Sequence, residues 1–262
     1  MKRLAAALLL GAFAAPPALA ATPFDGTWKA DLSTLTMPRK PNVFSLRRGR
    51  YSCDSCEPVI SVWADGAPHR VTGHRYYDHI AVQAVNDRTL RITQLVGDRV
   101  TFSEEMTVAA DGKTLAFTFR DMRGGAPVTG RGSERRIGAA PHPIAAHAVS
   151  GTWKLASIEH ASDAGLVFSL SSEGATMHMS TPTGQSYAAI VGGPPAPISG
   201  DLPGTMAALK RLSATTLQEI DTRGGRIVSV VTMTVAPGGR TMTVVTNETV
   251  HGAAQTYKAV KQ

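Results

Sequence analysis

The 262-residue sequence predicts an all-β protein built as two tandem antiparallel β-barrels. Three observations carry that expectation. The chain repeats itself at a near-constant interval, its apolar residues alternate with polar ones in both copies, and glycine-bearing turns separate these runs at corresponding places.

The N-terminus stands apart from the repeat. Lys2 and Arg3 open it, an apolar stretch runs from Leu4 to about Ala15, and small residues at Ala18 and Ala20 suit cleavage after Ala20. Residues 1–20 therefore read as an export signal, and the apolar stretch is shorter than the roughly 20 residues of a membrane span. The mature chain is expected to be periplasmic or secreted, with no transmembrane segment. Removing Lys2 and Arg3 lowers the formal charge from +7 to +5. An exported chain is a poor nucleic-acid partner; anionic surfaces fit the charge better. The densest basic cluster, Arg47, Arg48 and Arg50, reads first as a solvated hairpin tip and only second as a contact for anionic partners.

The repeat is direct. Phe24-Asp25-Gly26-Thr27-Trp28-Lys29 recurs as Val149-Ser150-Gly151-Thr152-Trp153-Lys154. Phe44-Ser45-Leu46 recurs as Phe168-Ser169-Leu170, and Met106-Thr107-Val108-Ala109 as Met233-Thr234-Val235-Ala236. The offsets are 125, 124 and 127 residues. This divides the mature chain into a first copy at 21–137, a linker at 138–147 and a second copy at 148–262. The linker's prolines and small residues suit an extended connector.

Each copy reads as strands. Over Val100–Val108 the even-numbered residues point inward, and Leu115, Phe117 and Phe119 share one face. Val231, Met233 and Val235 alternate with Thr232 and Thr234. Ala110-Asp111-Gly112-Lys113 and Pro237-Gly238-Gly239-Arg240 are matched turns, as are Gly97-Asp98 and Gly224-Gly225. Thr205–Leu212 has a helical flavour but aligns with the strand-like Asp78–Val85, so both are assigned as strands. About eight to ten short strands per copy suit a small closed barrel or a sandwich; the alternative is one larger barrel made from both copies.

Gly26-x-Trp28 and Gly151-x-Trp153 each open a copy, two residues after an apolar one. This resembles the opening motif of the calycins, the group holding lipocalins and fatty-acid-binding proteins. The resemblance implies lipocalin-like barrels in which each tryptophan closes one barrel end under a basic side chain. Arg135-Arg136 and Tyr257-Lys258 are the nearest candidates for that cover. Pro38 and Pro41 after Trp28 do not suit the helical lid of the fatty-acid-binding proteins. The chain also resembles uncharacterised secreted bacterial proteins with two such copies.

Chemistry is less legible. Cys53-Asp54-Ser55-Cys56 has no counterpart in the second copy. In an oxidising compartment it reads first as a disulfide closing a tight loop; a redox pair and a zinc site completed by two of His69, His74 and His79 are the alternatives. The segment Gly73–His79 either lines a barrel mouth or forms a polar loop. Glu104, Glu105 and Asp221 read as a solvated face. No nucleophile elbow, zinc-protease helix, phosphate loop or dinucleotide fingerprint occurs. The reading therefore assigns no catalytic residue, metal or cofactor and leans away from an enzyme. The expected function is binding of a small apolar or amphipathic ligand inside a barrel, with Phe102, Phe117 and Phe119 as the lining to look for. An envelope-interaction protein without a cavity is the alternative, and no protein partner is indicated.

Overall fold

The structure, a computed structural model, describes residues 22–37, 40–139, 146–248 and 253–262. Residues 1–20, expected to be an export signal, and residues 140–145 of the expected linker lie outside them. The first copy contributes β1 (Gly26–Thr36), β2 (Asn42–Arg47), β3 (Arg50–Cys53), β4 (Ile60–Trp63), β5 (Asp65–Arg70), β6 (His79–Asn86), β7 (Thr89–Val96), β8 (Arg99–Val108), β9 (Thr114–Asp121) and β10 (Val128–Ile137). The second contributes β11 (Gly151–Ala161), β12 (Val167–Glu173), β13 (Thr176–Ser180), β14 (Ser186–Ile190), β15 (Ala196–Pro197), β16 (Thr205–Arg211), β17 (Thr216–Arg223), β18 (Arg226–Val235), β19 (Thr241–Glu248) and β20 (Ala253–Lys261). They form two nearly closed, barrel-shaped antiparallel sheets of ten strands each, not one larger barrel. The helix-flavoured Thr205–Arg211 is a strand, paired with β17 along its whole length.

The sheets do not follow the repeats strand for strand. One runs β14-β13-β12-β1-β20-β19-β18-β17-β16-β15, the other β4-β3-β2-β11-β10-β9-β8-β7-β6-β5. Each copy gives its first strand to the barrel formed by the rest of the other copy. In β1, Trp28 lies opposite Phe168 on one side and Lys261 on the other. In β11, Trp153 lies opposite Asn42 and Arg136. The copy is the sequence unit; the folded unit mixes both. The register also revises one match: Gly26 faces Leu170 and Gly151 faces Phe44, so Phe44 corresponds to Leu170 and not to Phe168.

The packing of the two tryptophans explains the Gly-Thr-Trp motif. Trp28 and Trp153 are fully buried, and each indole N–H donates to a backbone carbonyl four residues earlier, Phe24 O at 2.7 Å and Val149 O at 2.8 Å. A cation lies over each ring: the Arg136 guanidinium 4.0 Å from the Trp153 centroid, and Lys261 Nζ 4.8 Å from that of Trp28. Desolvated contacts of this kind are worth about 2 kcal/mol. The motif glycine makes room for the cation. Gly26 and Gly151 have φ near +135°, and a Cβ on them would meet Lys261 Cε at 3.1 Å and would overlap the Arg136 guanidinium. Arg136 also donates to Ser150 O and Ala148 O, both at 2.7 Å. Of the expected covers Arg136 is in place, whereas Lys258 is not; Lys261, three residues on, takes that role.

Two separate cores result. Trp153 and Val149 pack with Leu46, Tyr51, Ile80, Leu90 and Leu115; Phe24 and Trp28 pack with Leu170, Met177, Leu217 and Met242. The barrel edges are nearly joined. Ser186 and Ser199 exchange backbone hydrogen bonds of 3.0 and 2.8 Å across one seam, and in the other barrel only Ala64 separates the edge strands β4 and β5. Among the described residues no helix is long and apolar enough to cross a membrane.

Candidate functional site: a cavity shared by both barrels

The barrels touch through their loops. Gly125 N donates to Thr183 O at 2.6 Å and Ala126 N to Pro182 O at 3.1 Å. One cavity of about 920 Å³ reaches into both interiors, near the upper end of the range for small-molecule sites. Its walls carry Phe102, Phe117 and Phe119 from one barrel, Val231, Val244 and Tyr257 from the other, and Leu32 and Leu155 from the exchanged strands. Phe102 and Phe119 are stacked with ring centroids 6.2 Å apart. The three phenylalanines expected as a lining therefore do line an open space.

The expectation that Glu104 and Asp221 sit on a solvated face is wrong for both: each lines the cavity. Glu104 lies on β8 between the inward residues Phe102 and Met106, so the alternation that points those two inward carries Glu104 with them. Burial, and then the charge of Glu134, push the Glu104 carboxyl up to about 7. Glu134, on β10, accepts from Asn42 Nδ2 at 2.6 Å. Glu105 points outward and pairs with Arg91 at 2.8 Å.

The second barrel holds a tighter acid group. Glu219 and Asp221 sit two residues apart on one face of β17, and Tyr187 Oη donates to Glu219 Oε2 at 2.7 Å. Burial is the main cause that holds both carboxyls above the ordinary range; the charge of Asp221 adds to it at Glu219, and that of Asp201 adds to it at Asp221. Asp221 Oδ1 is a buried oxygen with no fixed donor among the described residues. Sequence reading missed Glu134, Glu219 and Tyr187; the available signal was strand parity, which puts Glu219 inward with Leu217.

The remaining candidates fall into place individually. Cys53 and Cys56 are joined by a disulfide that lines the cavity. Val43 N donating to Ser55 Oγ at 2.9 Å and Asp54 N donating to Val43 O at 3.0 Å hold the same loop. Replacing both cysteines by alanine is expected to cost about 2 kcal/mol, the loop-closure value for so short a loop, without removing the cavity. Denaturant melts of the variant and the wild type check this; a loss of all cooperative folding would contradict it.

The three histidines do not converge. His69 binds Asp65 at 2.8 Å, His79 binds Asp78 at 2.9 Å, and His74 stacks on Tyr77 at 4.6 Å and hydrogen-bonds its hydroxyl. Within Gly73–His79, Tyr77 reaches the cavity, while Tyr76 lies under the Arg123 guanidinium at 4.8 Å. Arg47, Arg48 and Arg50 occupy the exposed tip of the β2–β3 hairpin, where Arg50 stacks at 5.5 Å on Trp63. No protein-family model, curated protein or solved structure matches this chain.

Proposed function

We propose that the mature chain is an exported binding protein that takes up a small apolar or amphipathic ligand in the shared cavity. The observation that carries this reading is the open space between stacked Phe102 and Phe119 and the apolar wall of the second barrel, since a barrel of this size can instead be filled by its own side chains. The two Gly-x-Trp openings, each with a basic side chain over its indole, support a lipocalin-like reading of the barrels. The charged, apolar and small-residue order of the first 20 residues supports export to the periplasm or beyond. The reading assigns the protein no chemistry of its own.

The test is uptake of a neutral apolar fluorophore such as 1-naphthol derivatives carrying an alkyl chain. Ile158, on the exchanged strand β11, is half-buried and lines the cavity. Ile158→Trp is expected to weaken uptake at least tenfold, about 1.4 kcal/mol, with an unchanged far-ultraviolet spectrum. Native mass spectrometry of the protein from its exported compartment gives a second readout, a mass excess that disappears on denaturation. Absence of both uptake and passenger would sink the reading.

A further inference from the structure

The cavity and the protein carry opposite charge. The chain as a whole is basic, with a formal charge of +7. Among the described residues the cavity walls nevertheless present six acidic side chains, Asp31, Glu104, Asp121, Glu134, Glu219 and Asp221, against two basic ones, Lys40 and Arg123. Arg123 is already committed to Asp121 and to the face of Tyr76, and lies more distantly, at 6.0 Å, over one face of Phe102. An enclosed space with low-dielectric walls and one sign of charge concentrates ligands of the other sign.

The acids are not equivalent. Glu219 is held by Tyr187 Oη at 2.7 Å, and Asp221 lies beside it with the Arg223–Asp201 ion pair as its charged neighbours. Asp31 is occupied by Ser33 through its hydroxyl at 2.7 Å and its backbone N–H at 3.0 Å. Glu104 differs. Barrel walls shield it from bulk water, its accessible surface is that of the cavity, and it has no hydrogen-bond or ion-pair partner among the described residues. An isolated carboxylate in such a place is costly unless a cation or donor meets it. Its surroundings are aromatic: Phe119 is its cross-strand neighbour on β9, and Phe102 stacks on Phe119. A carboxylate beside aromatic faces is the arrangement that receives an ammonium group, by charge pairing and by attraction to the ring faces.

We propose that the ligand of this cavity is an amphipathic cation, an amine on an apolar body, whose ammonium is received by Glu104 beside Phe102 and Phe119 and whose body lies along the apolar wall toward the second barrel. This rests on the cavity-binding function proposed above and names the ligand class.

The experiment compares three probes of one chain length below their micellar concentrations, dodecylammonium, dodecanol and dodecanoate, by displacement of the neutral fluorophore from the mature protein. The amine is expected to bind about tenfold more tightly than the alcohol, and the carboxylate more weakly than either. Glu104→Gln is expected to bring the amine down to the level of the alcohol while leaving the alcohol's affinity in place, which shows that the variant is folded and its cavity open. Glu105→Gln, on the outer face, is expected to keep the full amine preference. Equal binding of amine and alcohol by the wild type, or an amine preference that survives Glu104→Gln, overturns this proposal and leaves the cavity reading standing. Failure of all three probes to bind overturns both.

Discussion

Trp28→Ala is expected to loosen the barrel made mainly by the second copy, and to leave the barrel nearest to it in sequence protected. The indole is wholly buried among Phe24, Leu170, Met177, Leu217 and Met242, every one of which except Phe24 lies more than a hundred residues away. Removing an indole of this kind costs about 3–5 kcal/mol through lost transfer energy and the cavity left behind. It also strips Lys261 of the ring it covers. Hydrogen exchange should therefore accelerate over β12–β14 and β16–β20. The amides of β2–β4 and β6–β10 should keep nearly their wild-type protection, because their core is closed by Trp153. Trp153→Ala is expected to give the reciprocal pattern. If instead Trp28→Ala accelerates exchange in β2–β10 and spares β12–β20, the first strands are not exchanged.

The same exchange marks where the fold stops being legible in the sequence. The all-β class, the duplication and the strand assignments follow from period-two patterning and from matched turns, which are local properties. The exchange is not local. Gly26-Thr27-Trp28-Lys29 and Gly151-Thr152-Trp153-Lys154 are the same four residues, so either strand presents the same indole, the same glycine gap and the same backbone ladder to either barrel. Which strand goes where is decided by how the chain leaves them: β1 runs on through Leu32 and Leu35 along the shared cavity before β2 begins in the other barrel. Identical motifs carry no information about that choice. Positions where the copies differ carry more. Arg136 and Lys261 perform the same task, yet the match was visible only for Arg136, because Lys258 lies nearer the aromatic Tyr257 and competes with Lys261 as a candidate.

The candidate site shows a different kind of loss. Phe102, Phe117 and Phe119 were legible as inward residues because they are apolar. Glu104 obeys the same parity and was assigned to solvent because it is charged. A carboxylate on the inward face of a strand conflicts with the hydrophobic pattern around it, and such conflicts concentrate at functional sites. Parity was the better guide than polarity at Glu104, and equally at Glu219 and Asp221, which follow Leu217 inward on β17.

That buried acid pair leads to the second large expected effect, a loss of stability with rising pH that Glu219→Gln should reduce. Glu219 is almost fully buried and its carboxyl is held above its ordinary value of 4.5 by burial first and then by Asp221. The charged and titratable groups around the pair are Tyr187 on β14, Tyr257 on β20, and the Arg223–Asp201 ion pair at 3.2 Å. A carboxyl with a raised folded-state value keeps its proton after the unfolded chain has lost it. The folded state then binds more protons than the unfolded one, so stability falls as pH rises. The contribution is fully present below the unfolded carboxylate range and is lost as pH climbs from there through the raised folded value. Glutamine mimics the protonated acid: its carbonyl can accept from Tyr187 Oη, and its amide can donate to Asp221 Oδ1. Glu219→Gln is therefore expected to match the wild type within experimental spread at pH 4 and to exceed it by about 1–3 kcal/mol at pH 8. Urea denaturation at the two pH values measures this directly, and taking the difference between the proteins removes the slopes of Glu104 and the surface acids, which are common to both. Parallel stability profiles for wild type and variant would mean that the pair is already ionised in the fold and neutralised by Arg223 instead.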